Sequence, residues 1–147
     1  MRPKYHFIFS IIISVIFFFI TGSLFSSLVC FLVGFFTDLD HFLDYLIVNK
    51  KIPFGKDFFD YFYEARFRKI YLFLHSVELI PVIYFLGNIF LDRIMVYAIL
   101  TGFITHLAFD YIKNTQNPLS YFLIYRILVN FDAIKVLGFD FTSEEKD

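Results

Sequence analysis

YHFIFSIIISVIFFFITGSLFSSLVCFLVGFFT, residues 5–37, carries no Asp, Glu, Lys or Arg. As a single helix this run would extend about 50 Å, against a hydrocarbon core of roughly 30 Å. It is too long for one membrane span and long enough for two. Its middle, TGSLFSS at 21–27, sets Gly22 among small polar residues, a composition that favours a tight turn. The run therefore reads as a hairpin, with one helix over about 5–21 and a second over about 24–48. The opening MRPKY and the apolar stretch after it have the parts of a signal peptide, but a second membrane-like segment follows at once. The first helix is expected to be retained.

Composition agrees with a lipid solvent. The chain is 59% apolar and 18% charged, whereas a soluble domain is roughly half apolar and a quarter charged. A net charge of -1 lacks the basic excess of a nucleic-acid binder, so no nucleic-acid partner is expected. Cys30 is the sole cysteine, which excludes an internal disulfide, and it reads as a small apolar residue facing lipid or another helix.

Further along, a third span is expected over about 70–91, with Pro81 kinking it or resetting its start. LDR at 91–93 is a short connection, and a fourth span covers about 94–112. Between the hairpins, over about 56–69, Phe58, Phe59 and Phe62 share one helical face while Lys56, Asp60, Glu64 and Arg68 form a ladder on another. That pattern suits an amphipathic helix at the membrane surface. A further interfacial or re-entrant segment is expected over about 118–137. The expected fold class is all-α: one integral membrane domain over 1–147, a four-helix bundle with additional interfacial amphipathic helices. In that topology every one of the 13 Lys and Arg residues except Arg93 falls on one side. The positive-inside rule makes that side cytoplasmic and places both termini there, in a multi-pass protein of the cell membrane.

The same topology gathers the polar residues. His6 opens the first helix; Asp38, Asp40 and His41 lie at the end of the second. His75 and Glu78 open the third, and His106 and Asp110 close the fourth. Spacings of three or four residues project each pair from one helix face, and Asn114 would extend the last stripe. Imidazole and carboxylate together suit a divalent metal, zinc foremost, with manganese or iron as alternatives. His6, Asp38, His75, His106 and Asp110 are the expected metal ligands. Asp40, His41 and Glu78 are candidates for the catalytic base, for further ligands, or for orienting the ligands.

A simpler reading competes with this one: a histidine at a helix end is often interfacial, and DLD at 38–40 is also how a helix meets water. Glu78 resists it, since an unpaired carboxylate in lipid costs about 2.5–3.5 kcal/mol at mid-span. The joint placement of all four histidines on one side favours a shared site over a solvated rim. Arg126, inside an apolar segment, either snorkels to the headgroups or binds a phosphate or carboxylate near the metal.

At these residues the chain resembles the LexA-regulated, membrane-bound metal-dependent hydrolase family. The features that carry the resemblance are His6, TDLDH at 37–41, LHS at 74–76 and HLAFD at 106–110, in that order. Thr37 stands where the family usually has proline, Leu74 where it has threonine, and Ile70 and Tyr71 occupy the region of its additional His-Arg. The resemblance implies a small multi-helix membrane hydrolase. Residues and resemblance together lead to a metal-dependent hydrolase acting at the membrane on a phosphoester, with membrane lipid as partner and a lipid headgroup as the first substrate to consider. Two other functions stay open. A small ion or proton transporter would use the same residue types, but needs polar groups distributed through the bilayer. A noncatalytic scaffold would keep the cluster for folding alone.

Overall fold

The computed structural model describes residues 3–52, 55, 58, 60–61, 68–114 and 117–138. Most of the surface helix expected over 56–69 lies outside the described residues. Those residues are helical apart from connections, with an isolated bridge between Lys69 and Asp132 in place of any strand.

The front-end hairpin forms as its composition dictates. Helix α1 spans Pro3–Thr21 and α2 spans Leu24–Phe36. Between them Gly22 takes a φ of +68°, a left-handed conformation that a Cβ would oppose. Ser23 then caps α2, its hydroxyl accepting the Ser26 N–H at 3.3 Å. The second expected helix is present but interrupted: a 3-10 turn at Thr37–Leu39 separates α2 from α3, Asp40–Asn49. Asp38 sits in that turn.

The next elements are α4, Leu79–Phe90, and α5, Arg93–Asn114. Lys4–Thr21, Leu24–Asn49 and Arg93–Lys113 are each long and apolar enough to cross a membrane, which points to membrane association. Their outer faces carry apolar surface of the kind water penalises and lipid accepts, with Phe19 80% exposed and Ile20, Leu24 and Phe25 beside it.

The third span departs from expectation. It is helical only over the 12 residues of Leu79–Phe90, about 18 Å of helix, and residues 70–78 form a loop. Pro81 accounts for the start. Within a longer helix its ring would clash with the carbonyl four residues back; with α4 starting at Leu79, the missing N–H falls in the first turn, where it has no helical partner to lose. The segment expected as interfacial or re-entrant over about 118–137 consists of a turn followed by α6, Leu123–Leu128, and α7, Ala133–Leu137.

The α4–α5 corner is closed by Asp92, whose carboxylate accepts the Met95 N–H at 2.9 Å. Asp92→Ala is expected to destabilise the protein by about 1 kcal/mol, read as a lower unfolding midpoint in detergent.

Helix α5 packs against α1, α2 and α4. Its crossing with α2 is made by small residues, Cys30 and Gly34 on one side and Ala98 and Gly102 on the other. A Cβ on Gly102 would overlap the Cys30 carbonyl oxygen and lie 3.0 Å from the Gly34 nitrogen, so the backbones meet only because Gly102 has no side chain. After α5 the chain returns over the 70–78 loop. Ile70 N–H donates to Phe131 O at 2.9 Å, Val77 N–H to Tyr121 O at 3.0 Å, and Ile70 packs with Ala133 and Val136.

Candidate metal centre

Four elements and one loop deliver the polar cluster. His6 comes from the first turns of α1, Asp38 from the 3-10 turn, His41 from α3, His75 from the 70–78 loop, and His106 and Asp110 from α5. The 3-10 turn re-aims the chain at Asp38, so that its carboxylate meets groups from the other elements.

His6 Nε2 lies 3.0 Å from Asp110 Oδ1 and 3.9 Å from Asp38 Oδ2. His75 Nε2 lies 3.3 Å from Asp110 Oδ2 and 3.7 Å from Asp38 Oδ1. His106 Nε2 lies 3.4 Å from Asp110 Oδ2, 3.5 Å from Asp38 Oδ1 and 3.2 Å from His75 Nε2. His41 Nε2 stands 3.5 Å from Asp38 Oδ1. Ligands about 2.1 Å from a tetrahedral zinc lie roughly 3.3–3.5 Å from one another. The donor atoms therefore already stand at the spacing of a metal's ligands. Two donor groups meet the geometric requirement for a cation, His6/Asp38/His106/Asp110 and Asp38/His41/His75.

All five expected ligands converge, and His41 joins them. The other two candidates, Asp40 and Glu78, belong to neither donor group. Asp40 is buried and uses Oδ2 to accept the Leu74 N–H at 2.6 Å, with His75 Nδ1 3.4 Å away. It orients an imidazole and holds a loop, the orienting role being one of those open to it from the sequence. Glu78 belongs to neither donor group; its Oε1 accepts the Ile124 N–H at 3.0 Å, at the start of α6. Burial pushes its carboxyl up, but the Ile124 and Leu123 N–H groups outweigh that and hold it below the usual range. His75 and Glu78 also lie outside regular helix, so their three-residue spacing does not place them on one helix face.

Each buried imidazole on α5 or the loop has its second nitrogen fixed. His106 Nδ1–H donates to the Gly34 carbonyl at 2.7 Å, which turns Nε2 toward the cluster. Asp40 does the same for His75. Burial pulls the His75 imidazole down, but Asp110, Asp38 and Asp40 outweigh it and hold the group up to about 10. The carboxylates thus call for positive charge at this spot, which a proton on His75 or a cation satisfies.

The loop that carries His75 is held on both sides. Asp40 and Asp44 accept the N–H groups of Leu74 and Tyr71, each at 2.6 Å. Arg126, 1% exposed, donates to the carbonyls of Tyr71 at 2.7 Å, Leu72 at 2.6 Å and His75 at 3.0 Å, and to the Ser76 hydroxyl. Burial lowers its pKa and Asp40, Glu78, Tyr121 and Asp44 oppose this; the guanidinium stays charged. Neither role expected of Arg126 fits: it does not snorkel, and its bonds go to the loop's carbonyls and the Ser76 hydroxyl. Signals for this arrangement exist in the sequence, a four-residue Asp40–Asp44 spacing and an arginine in an apolar segment. Each is a charge that burial obliges to find partners.

His6, His75, His106 and Asp110 are buried, while the side chains of Asp38 and His41 are 22% and 27% exposed, so the cluster has one open edge. No family model, curated protein or solved structure matches the chain.

Proposed function

We propose that the protein is a multi-pass membrane hydrolase that uses a divalent cation, zinc foremost, to cleave a phosphoester such as a lipid headgroup at the cytoplasmic face. The observation that carries this reading is the convergence of His6, Asp38, His75, His106 and Asp110 from distant parts of the chain, at the mutual spacing of metal ligands. A cation held there supplies Lewis acidity toward a phosphoryl oxygen and lowers the pKa of a water to about 7. The protein's own contribution is positioning. Asp40 and the Gly34 carbonyl aim two imidazoles. Asp44 and Arg126 hold the His75 loop. Asp38 and His41 form the edge where a substrate group gains access.

In this reading α4 is the fourth helix of a membrane bundle, too short for a full span, and the one-sided placement of Lys and Arg supports a cytoplasmic position for both termini. The resemblance to the LexA-regulated membrane-bound metal-dependent hydrolases supports the same reaction class, since His6, TDLDH, LHS and HLAFD supply every expected ligand.

Full-length protein purified in detergent is expected to hold stoichiometric metal and to hydrolyse lipid phosphoesters. Chelation or His75→Ala should remove that turnover. Metal-free protein after purification and zinc addition, or undiminished activity in His75→Ala, ends the reading.

A further inference from the structure

We infer that the cluster is a two-cation centre with Asp38 as the bridging carboxylate, built for an anionic phosphoester. This rests on the metal-centre reading above and goes beyond it in nuclearity and in the division of labour between ligands.

Six side chains face the cluster: four imidazoles and two carboxylates. A tetrahedral zinc takes four ligands, and a catalytic one leaves a position open, with three protein ligands. One cation would thus leave two or three buried or half-buried donors without a role. Two cations use them all. The donors divide into groups of four and three that share Asp38 alone. Asp38 is suited to the shared position because it borders both sets. Oδ1 lies 3.5 Å from His106 of the first set and 3.5 Å and 3.7 Å from His41 and His75 of the second, while Oδ2 faces His6 of the first set at 3.9 Å. A carboxylate that stands between two ligand sets is placed to bridge cations about 3.5–4 Å apart.

The groups also differ in exposure. His6, His106 and Asp110, all buried, make with the partly exposed Asp38 a four-ligand set, which closes a tetrahedral cation. Asp38, His41 and His75 make a three-ligand set that includes both partly exposed residues, so its open coordination position is on the accessible edge. His41 and His75 both contribute to the second set only, but His75 Nε2 also lies 3.3 Å from Asp110 Oδ2 and 3.2 Å from His106 Nε2, so His41 is the residue whose substitution separates one-cation from two-cation chemistry. Charge selects the substrate class. Two divalent cations against Asp38 and Asp110 leave the centre net positive, which favours an anionic phosphoester and lets both cations engage its oxygens.

The test counts metal. Full-length apo-protein in detergent is titrated with zinc, freed of loose metal and measured by elemental analysis; the same apo-protein loaded with manganese is measured by electron paramagnetic resonance. Two zinc ions per wild-type chain, one per His41→Ala chain and an exchange-coupled manganese spectrum are the expected results. One zinc per wild-type chain with the isolated-ion manganese spectrum overturns the two-cation inference and leaves the metal-centre reading standing. Two in wild type and still two in His41→Ala also overturns it, since the second ion then lies elsewhere. No retained zinc removes both readings. The wild-type count and spectrum decide even if His41→Ala does not fold.

Discussion

Gly102→Ala is expected to lower stability by about 1–3 kcal/mol and to weaken zinc binding by about 10–100-fold. The added methyl would overlap the Cys30 carbonyl oxygen and press on the Gly34 nitrogen at 3.0 Å. Both are backbone atoms of α2, so no side-chain rotation relieves the overlap and the two helices must separate. The metal effect follows from position. His106 lies one turn beyond Gly102 on α5, and its Nδ1–H donates to the carbonyl of Gly34, one of the residues the methyl displaces. Separating the helices lengthens that 2.7 Å bond and frees the imidazole whose Nε2 faces Asp38 and Asp110. Thermal unfolding in detergent gives the first quantity and zinc titration the second. Wild-type values for both would mean that α2 and α5 do not meet at Gly102.

The hairpin and the donor cluster were legible in the sequence for related reasons. Residues 5–37 hold no charge to compensate, and their one glycine-plus-serine break falls where a turn must go. A chain so apolar keeps imidazoles and carboxylates only where something offsets their cost, so His6, Asp38, His75, His106 and Asp110 stood out by type alone. The 70–78 loop was not legible. KIYLFLHSVE has the hydropathy of a helix, and hydropathy does not tell whether apolar side chains face lipid or cover a loop. What prevents helix there is remote: Asp40 and Asp44 take N–H groups and Arg126 takes carbonyls, while Pro81 fixes the earliest comfortable start of α4. For the same reason the sequence leaves Asp40 open between catalytic base, ligand and orienting group, whereas its carboxylate holds Leu74 and orients His75.

Arg126→Leu is expected to destabilise the protein by about 3–5 kcal/mol, since each buried acceptor left without a donor costs about 1–3 kcal/mol and relaxation recovers part of the sum. The acceptors left behind are the carbonyls of Tyr71, Leu72 and His75 and the Ser76 hydroxyl, and a leucine offers none of them a proton. Arg126→Lys should recover only part of the loss. An ammonium has three donors on a point charge, whereas the guanidinium reaches acceptors on several loop residues from one rigid plane. The informative readout is zinc affinity. Arg126 bonds the backbone carbonyl of His75 itself, so release of the loop moves an imidazole that lies 3.3 Å from Asp110 and 3.2 Å from His106. Weaker zinc binding in both variants, more severe in Arg126→Leu, identifies Arg126 as a positioning residue that acts through the loop. Had it been a headgroup-binding cation, the same substitutions would raise KM while stability and metal content stayed at wild-type levels. Four loop contacts made from a side chain 1% exposed predict the first outcome.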